Sequence, residues 1–309
     1  MTMTESSEST GALSHQSRVR RLDLGEVRLT YVIDGAMGLL PAVFFPDVPA
    51  DHWNSHPESL DAHGRVAMSV GGLLVEREEG TLLIDAGFGP FTGHSPAGPI
   101  NSGALLETLG SLGVEPADID AVAFTHLHVD HTGWAFTPTA TGTLDKTFPE
   151  ARYLVASEEW APHKNGHTVV GASPAPVITR FATAATLVAD DEEVFPGVRT
   201  LVTPGHSPGH TTYVITSSTG HRLVVFGDAF HIPAQLAHPE WSSRPDADGT
   251  GVLTARRRLL KELDQPNTSG FAFHFGDQAF GRLVRDSEGR PAWEPLPTTL
   301  LGDPPRELD

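Results

Sequence analysis

The stretch THLHVDHTGW, residues 125 to 134, holds His126, His128, Asp130 and His131 within six positions. It follows directly on the apolar run AVAF, Ala121 to Phe124. Imidazole and carboxylate at that density are the ligands of a divalent cation, and an ordinary strand end has no use for them. His126 and His128 stand at i and i+2, which on an extended segment turns both rings to one side. Asp130 and His131 fall in the turn beyond, where the chain can curl back to a second point about 3.5–4 Å away, the usual spacing of paired metals. Two cations that close repel, so the pattern asks for another carboxylate and more histidines.

Three later stretches supply them. TPGHSPGH (Thr203 to His210) offers His206 after a strand, with Pro204, Gly205 and Gly209 shaping a tight turn. VVFGDAF places Asp228, and FAFHFG places His274, each after an apolar run. Separate strands can thereby aim ligands at one point, as catalytic groups gather at strand ends in α/β proteins.

The elements that must hold these residues are legible in outline. Alternation predicts a strand over Glu26 to Asp34, and Ala67 to Gly87 reads as two strands joined at Glu79-Gly80. Ser102 is placed to cap a helix through Leu112, with Gly113 as its stop. Further strands are expected at residues 121–124, 152–157, 198–204, 211–216, 222–228 and 271–276. A helix is expected over Gly251 to Asp264, with Arg256, Arg257 and Arg258 as a solvated face. The Pro-broken stretch from Gly38 to Trp53 reads as a lid or loop, and the C-terminal segment as a surface wrap. We expect a flexible tail over residues 1–17 and one domain over 18–309.

Composition narrows the function. The 309-residue chain has 39% hydrophobic residues and a formal net charge of -18. Phosphate backbones and anionic membrane surfaces call for clustered Lys and Arg, so nucleic-acid and membrane partners are not expected. No run of about 18 apolar residues appears that would span a bilayer. The polar N-terminus lacks a signal peptide's apolar segment, which points to the cytoplasm. With no cysteine, thiol catalysis and thiolate ligands are excluded.

HxHxDH, TPGHSPGH, GDA and a late histidine, in that order, resemble the metallo-β-lactamase superfamily of αββα sandwich hydrolases. The resemblance runs from about Leu73 to His274, and LLIDAGFG (Leu82 to Gly89) looks like the family's early motif ending in a supporting aspartate, here Asp85. It implies a four-layer αββα fold and two divalent metal ions, zinc first, with Mn, Fe or Co also suited to these ligands. His126, His128 and His206 would hold one ion. Asp130, His131 and His274 would hold the other, with Asp228 bridging. The implied activity is hydrolysis by a hydroxide shared between the ions, which Asp130 would orient.

Within the superfamily the chain looks like the branch of N-acyl homoserine lactonases and methyl parathion hydrolase-like enzymes. That implies opening of a lactone or cleavage of a related ester, with phosphotriester or phosphodiester cleavage as the alternative. An iron redox reading is disfavoured by His128, where such members carry glutamate. Lactonases of this type place a tyrosine three residues after the bridging aspartate; here the position is His231. It is a candidate catalytic residue, donating to a carbonyl or shuttling a proton, with a supporting imidazole as the other reading. A partly apolar small-molecule substrate would meet Phe44, Phe45, Phe88, Trp134, Phe136 and Trp241, unless these pack in the core. The GLLPAVFF stretch would serve as a lid or pack on a second subunit in a homodimer. His210 is read as supporting the ligands. His52, His56, His63, His94, His163, His167, His221 and His238 receive no role.

Overall fold

The computed structural model describes residues 8–308. Two sheets pack face to face. The larger has eleven strands, and its main path runs Glu8–Ser9, Thr298–Gly302, Val19–Leu24, Val27–Leu39, Val66–Arg77, Gly80–Ile84, Ala121–Ala123, Arg152–Ala156 and Ala185–Val188. The hairpin of Phe91–Ser95 and Gly98–Ser102 joins it beside Val27–Leu39. The smaller sheet has seven strands, in the order Glu193–Phe195, Val198–Val202, Thr211–Thr216, Arg222–Val225, Thr268–Phe271, Phe280–Arg285 and Pro291–Pro295.

The alternation of side chains along each strand decides the layers. Leu29, Tyr31, Ile33, Leu73, Leu82 and Ile84 of the first sheet meet Val198, Tyr213, Ile215, Leu223, Val225 and Phe271 of the second in the central core. The opposite face of the first sheet, with Val32, Leu74, Leu83, Val122 and Tyr153, is covered by Leu105 and Leu109 of the helix Leu105–Ser111 and by Phe181 of Ala175–Ala184. The opposite face of the second sheet, with Val224, is covered by Leu259 and Leu263 of the helix Gly249–Leu263. Helix, sheet, sheet, helix is the four-layer αββα sandwich that was expected.

Strand direction then fixes where a site can form. Ala121–Ala123 runs parallel to Gly80–Ile84 and Arg152–Ala156, and Arg222–Val225 runs parallel to Thr268–Phe271. The turns that follow these strands therefore leave the sandwich at a common edge.

Five expectations need correction. The strand expected over residues 271–276 is Thr268–Phe271 instead, so His274 lies beyond the strand rather than within it. The tail expected over residues 1–17 is ordered from residue 8: Glu8 and Ser9 pair with Thr299 and Thr298, and Ser17 is buried with its amide on Ser69 Oγ. The first seven residues of that span lie outside the described residues. Ser102 does not cap the helix; it ends a strand and donates to Gly89 O. The helix is capped from far away by Asp34, whose carboxylate accepts from Gly103 N and Leu105 N. The C-terminal segment is built into both sheets as strands rather than wrapped over the surface. Arg256, finally, is not solvated but fully buried.

Candidate metal centre

All seven expected ligands meet at that edge. His126 and His128 lie just after Ala121–Ala123, and the short helix Val129–Thr132 carries Asp130 and His131. His206 follows Val198–Val202, Asp228 sits in the turn Gly227–Ala229, and His274 lies beyond Thr268–Phe271. His126, His128 and His206 present ligand atoms within 4.8 Å of one another, and so do Asp130, His131, Asp228 and His274. Asp228 joins the two groups: its Oδ1 lies 3.2 Å from His131 Nε2 and 3.1 Å from His274 Nε2, while its Oδ2 lies 3.3 Å from His206 Nε2. Asp130 is the most open of the set, its Oδ2 3.6 Å from His131 Nε2 and 3.8 Å from His274 Nε2.

The far nitrogen of most rings is held, which fixes what the near nitrogen offers. His131 Nδ1 donates to Asp85 Oδ2 at 2.8 Å, and His274 Nδ1 donates to Ser69 O at 2.9 Å. Thr125 Oγ1 gives its proton to Asp85 and so accepts from His126 Nδ1 at 3.0 Å. His206 Nδ1 donates to Asp246 Oδ1 at 2.9 Å. In the neutral ring each Nε2 is then the bare lone pair turned into the site, as in a ring prepared to bind a metal. His126 Nε2, His131 Nε2, His274 Nε2 and Asp228 Oδ1 are buried and have no hydrogen-bond partner. Orphaned polar atoms are costly in an interior. His128 faces the site with Nδ1, 3.1 Å from His206 Nε2. The donor set fits two divalent cations.

The backbone is bent to make this possible. Asp85 takes a left-handed conformation, φ 63°, which turns its carboxylate under Thr125 and His131. At Gly227, φ 52°, a side chain would meet His210 Nε2 at 2.5 Å. That space lets His210 accept the amide of Asp228 at 3.0 Å.

Charge is concentrated without water to screen it. For His131 burial alone pushes the pKa down, yet Asp228, Asp130 and Asp85 outweigh it and hold the ring well above the ordinary histidine value. Asp228 is the converse: burial raises it, while His131, His274, His231 and His206 together hold it well below the usual carboxylate range. Burial, followed by neighbouring rings, pushes His128 and His210 down to about 3.

His231 stands at the same face. Its Nε2 is 3.1 Å from Asp228 Oδ2, and its ring lies flat against that of His274, centroids 5.6 Å apart. Phe44 packs edge-on to it at 5.6 Å. Of the six apolar pocket candidates, Phe44, Phe88 and Trp241 are half-buried and pack against a core cluster that includes Ile232, the residue after His231. Phe45 and Phe136 are core residues, and the indole N–H of Trp134 donates to Asp34.

Several supporting residues carry no spacing signal. Glu159 is buried and accepts from Leu127 N, Ser207 Oγ and Gly209 N, so one carboxylate joins the two ligand loops. Asp246, which orients His206, is 3.4 Å from Arg256 Nη2. Arg256 also donates to Ala229 O, Pro239 O and Trp241 O. One signal was available: Arg256 lies four residues after Val252 and three before Leu259, on the buried face of its helix.

Fold and centre together define a class. The chain belongs to the metallo-beta-lactamase superfamily, which it matches over residues 72–268. The N-acyl homoserine lactonase AiiA of Bacillus thuringiensis subsp. kurstaki is 32% identical over 174 residues, 50% of this chain and 62% of that protein. The chain thus spans less than two thirds of the length of the lactonases it matches. A probable metallo-hydrolase of Mycobacterium bovis, Mb2322c, is 27% identical over 228 residues, 63% of this chain and 66% of that protein. Among solved structures, AidC, a dizinc quorum-quenching lactonase in complex with a product, superposes with a TM-score of 0.76 at 21% identity, covering 93% of this chain and 99% of that one. The hydrolase AbOPH gives 0.75 at 21% identity, covering 92% and 99%. Likeness at that identity speaks for the fold. No described helix is long and apolar enough to cross a membrane.

Proposed function

We propose that the chain is a metal-dependent hydrolase with two divalent ions, zinc first, that opens a lactone or cleaves a related carboxylic ester. The observation that carries the reading is the convergence of buried, unpartnered ligand atoms on either side of Asp228. Similarity to curated N-acyl homoserine lactonases supports the substrate class. His126, His128 and His206 would hold one ion and Asp130, His131 and His274 the other, with Asp228 shared. Two such ions supply ionised water at neutral pH and an electrophile for the carbonyl oxygen.

The chain's own residues do the rest. Asp130, 15% exposed at its side chain, faces outward enough to accept a hydrogen bond from the attacking water and orient it. Asp85, Asp246 and Ser69 O hold His131, His206 and His274 in the tautomer that binds. Phe44, Phe88 and Trp241 offer an apolar surface to the remainder of the substrate. His231 supplies a polar group among them. A single domain over residues 18–309, a cytoplasmic location and a homodimer through the 38–45 stretch, with a lid role for that stretch as the alternative, belong to the same reading.

The test is to load the purified protein with Zn or Mn and assay a series of lactones beside a phosphotriester, with Asp228→Asn as control. Lactone opening that vanishes in the variant is the expected result. Phosphotriester turnover with untouched lactones would reassign the substrate, and activity on neither would refute hydrolysis of both classes.

A further inference from the structure

His231 has two ring nitrogens, and what it can do depends on which carries the proton. Nε2 points at Asp228; Nδ1 points away, 3.0 Å from Ser243 Oγ. The hydroxyl of Ser243 is in turn 3.0 Å from Gln235 Nε2. All three side chains are buried.

The direction of this chain of hydrogen bonds is set by groups that have no choice. Gln235 Oε1 lies 2.7 Å from His231 N and 3.3 Å from Ile232 N. Backbone amides only donate, so that atom is the carbonyl oxygen. The other end of the amide lies 3.0 Å from Trp241 O, which only accepts, so it is the NH2. Gln235 therefore donates to Ser243 Oγ. Among the contacts of that hydroxyl, His231 Nδ1 is the remaining acceptor for its own proton. A neutral His231 that accepts at Nδ1 carries its proton on Nε2, aimed at the metal face.

The geometry points to Gln235 and Ser243 as positioning residues that lock His231 as an Nε2–H hydrogen-bond donor beside the two metal positions, so that it polarises the substrate carbonyl and does not serve as a ligand. The inference rests on the lactone or ester reading for its substrate, but not for its tautomer. It also decides the ambiguity in the site itself, where His206, Asp228 and His231 present ligand atoms within 4.8 Å and look like a third metal group. A ring with a proton on Nε2 cannot bind a cation through that atom. His231 donates without losing its proton, so no charge is left on the ring.

The tautomer is read directly by 15N NMR of imidazole-labelled protein, metal-free and zinc-loaded, with His231→Gln identifying the signal by its loss. We expect His231 to show a protonated Nε2 and a bare Nδ1 in both states. A proton on Nδ1, protons on both nitrogens, or loss of the Nε2 proton on adding zinc would each overturn the assignment. Where lactone turnover is observed, Ser243→Ala should lower kcat roughly tenfold with zinc content unchanged, as for loss of one orienting hydrogen bond. Ser243→Thr, which keeps the hydroxyl, should restore it. An unchanged kcat in Ser243→Ala would contradict the positioning role. Absence of lactone turnover would count against the substrate class and leave the NMR result to judge the lock.

Discussion

At the scale of single residues, the centre depends on buried charges that orient one another. Arg256 is enclosed by carbonyls of residues 229, 239 and 241 and by the Asp246 carboxylate that holds His206. Removing one member of a buried pair strands the other charge, which usually costs about 3–5 kcal/mol. Arg256→Met should therefore lower the unfolding free energy by ~3 kcal/mol in urea titrations. Arg257→Met, in an exposed neighbour, should be near neutral. Equal effects of the two would show that Arg256 holds nothing in place. The candidate ligands were legible as a group because metal chemistry restricts both residue type and spacing. Their supports were not: Glu159, Asp246 and Asp34 act through the fold, on partners 32, 40 and 71 residues away in sequence.

Elements were legible where burial writes a pattern. Three of the strands that lead to the candidate ligands, Ala121–Ala123, Val198–Val202 and Arg222–Val225, are apolar runs found to within three residues, whereas the one before His274 is Thr268–Phe271 and shares only Phe271 with the strand expected over 271–276. Short strands such as Leu144–Lys146 or Glu193–Phe195 are set by the partner they pair with and leave little pattern of their own. Ser102 has the right side chain for a cap, but Asp34 reaches the helix N-terminus from another strand and displaces it. The turn Gly227–Ala229 shows how an element depends on a neutral ring. His210 accepts from Asp228 N, and burial holds its pKa at about 3. Its folded value lies below the unfolded one, so as pH falls through about 6.5 the unfolded chain takes up a proton that the folded chain refuses. Stability is thus present above that pH and is lost on the way down toward 3. For this ring the loss should reach ~2 kcal/mol by pH 5. In metal-free protein, His210→Gln should flatten the stability-against-pH slope between pH 6.5 and 5 by up to one proton. An unaltered slope would mean that the ring titrates normally in the fold.

Across the whole molecule, the first and last described strands are drawn into the centre's support. Arg20 grips Asp277 with two hydrogen bonds of 2.6 Å, and the same arginine donates to Ser9 O and Thr298 Oγ1. The first strands and the last are thereby tied to the loop that carries His274. Composition describes residues 8–17 as polar, and polarity alone suggested a loose tail; the pairing that orders them is with residues almost 300 positions away. The four-layer architecture was read through family resemblance, since strand periodicity cannot say which strands share a sheet. A metal centre of this kind fits the superfamily, and two ions rather than one are called for by the donor atoms on both sides of Asp228. Metal stoichiometry tests the two-ion centre most directly, by equilibrium dialysis against zinc followed by elemental analysis. Two zinc ions per wild-type chain are expected, and at most one tightly held in Asp228→Asn. One ion or none in the wild type, or two held equally well without the aspartate, would contradict it.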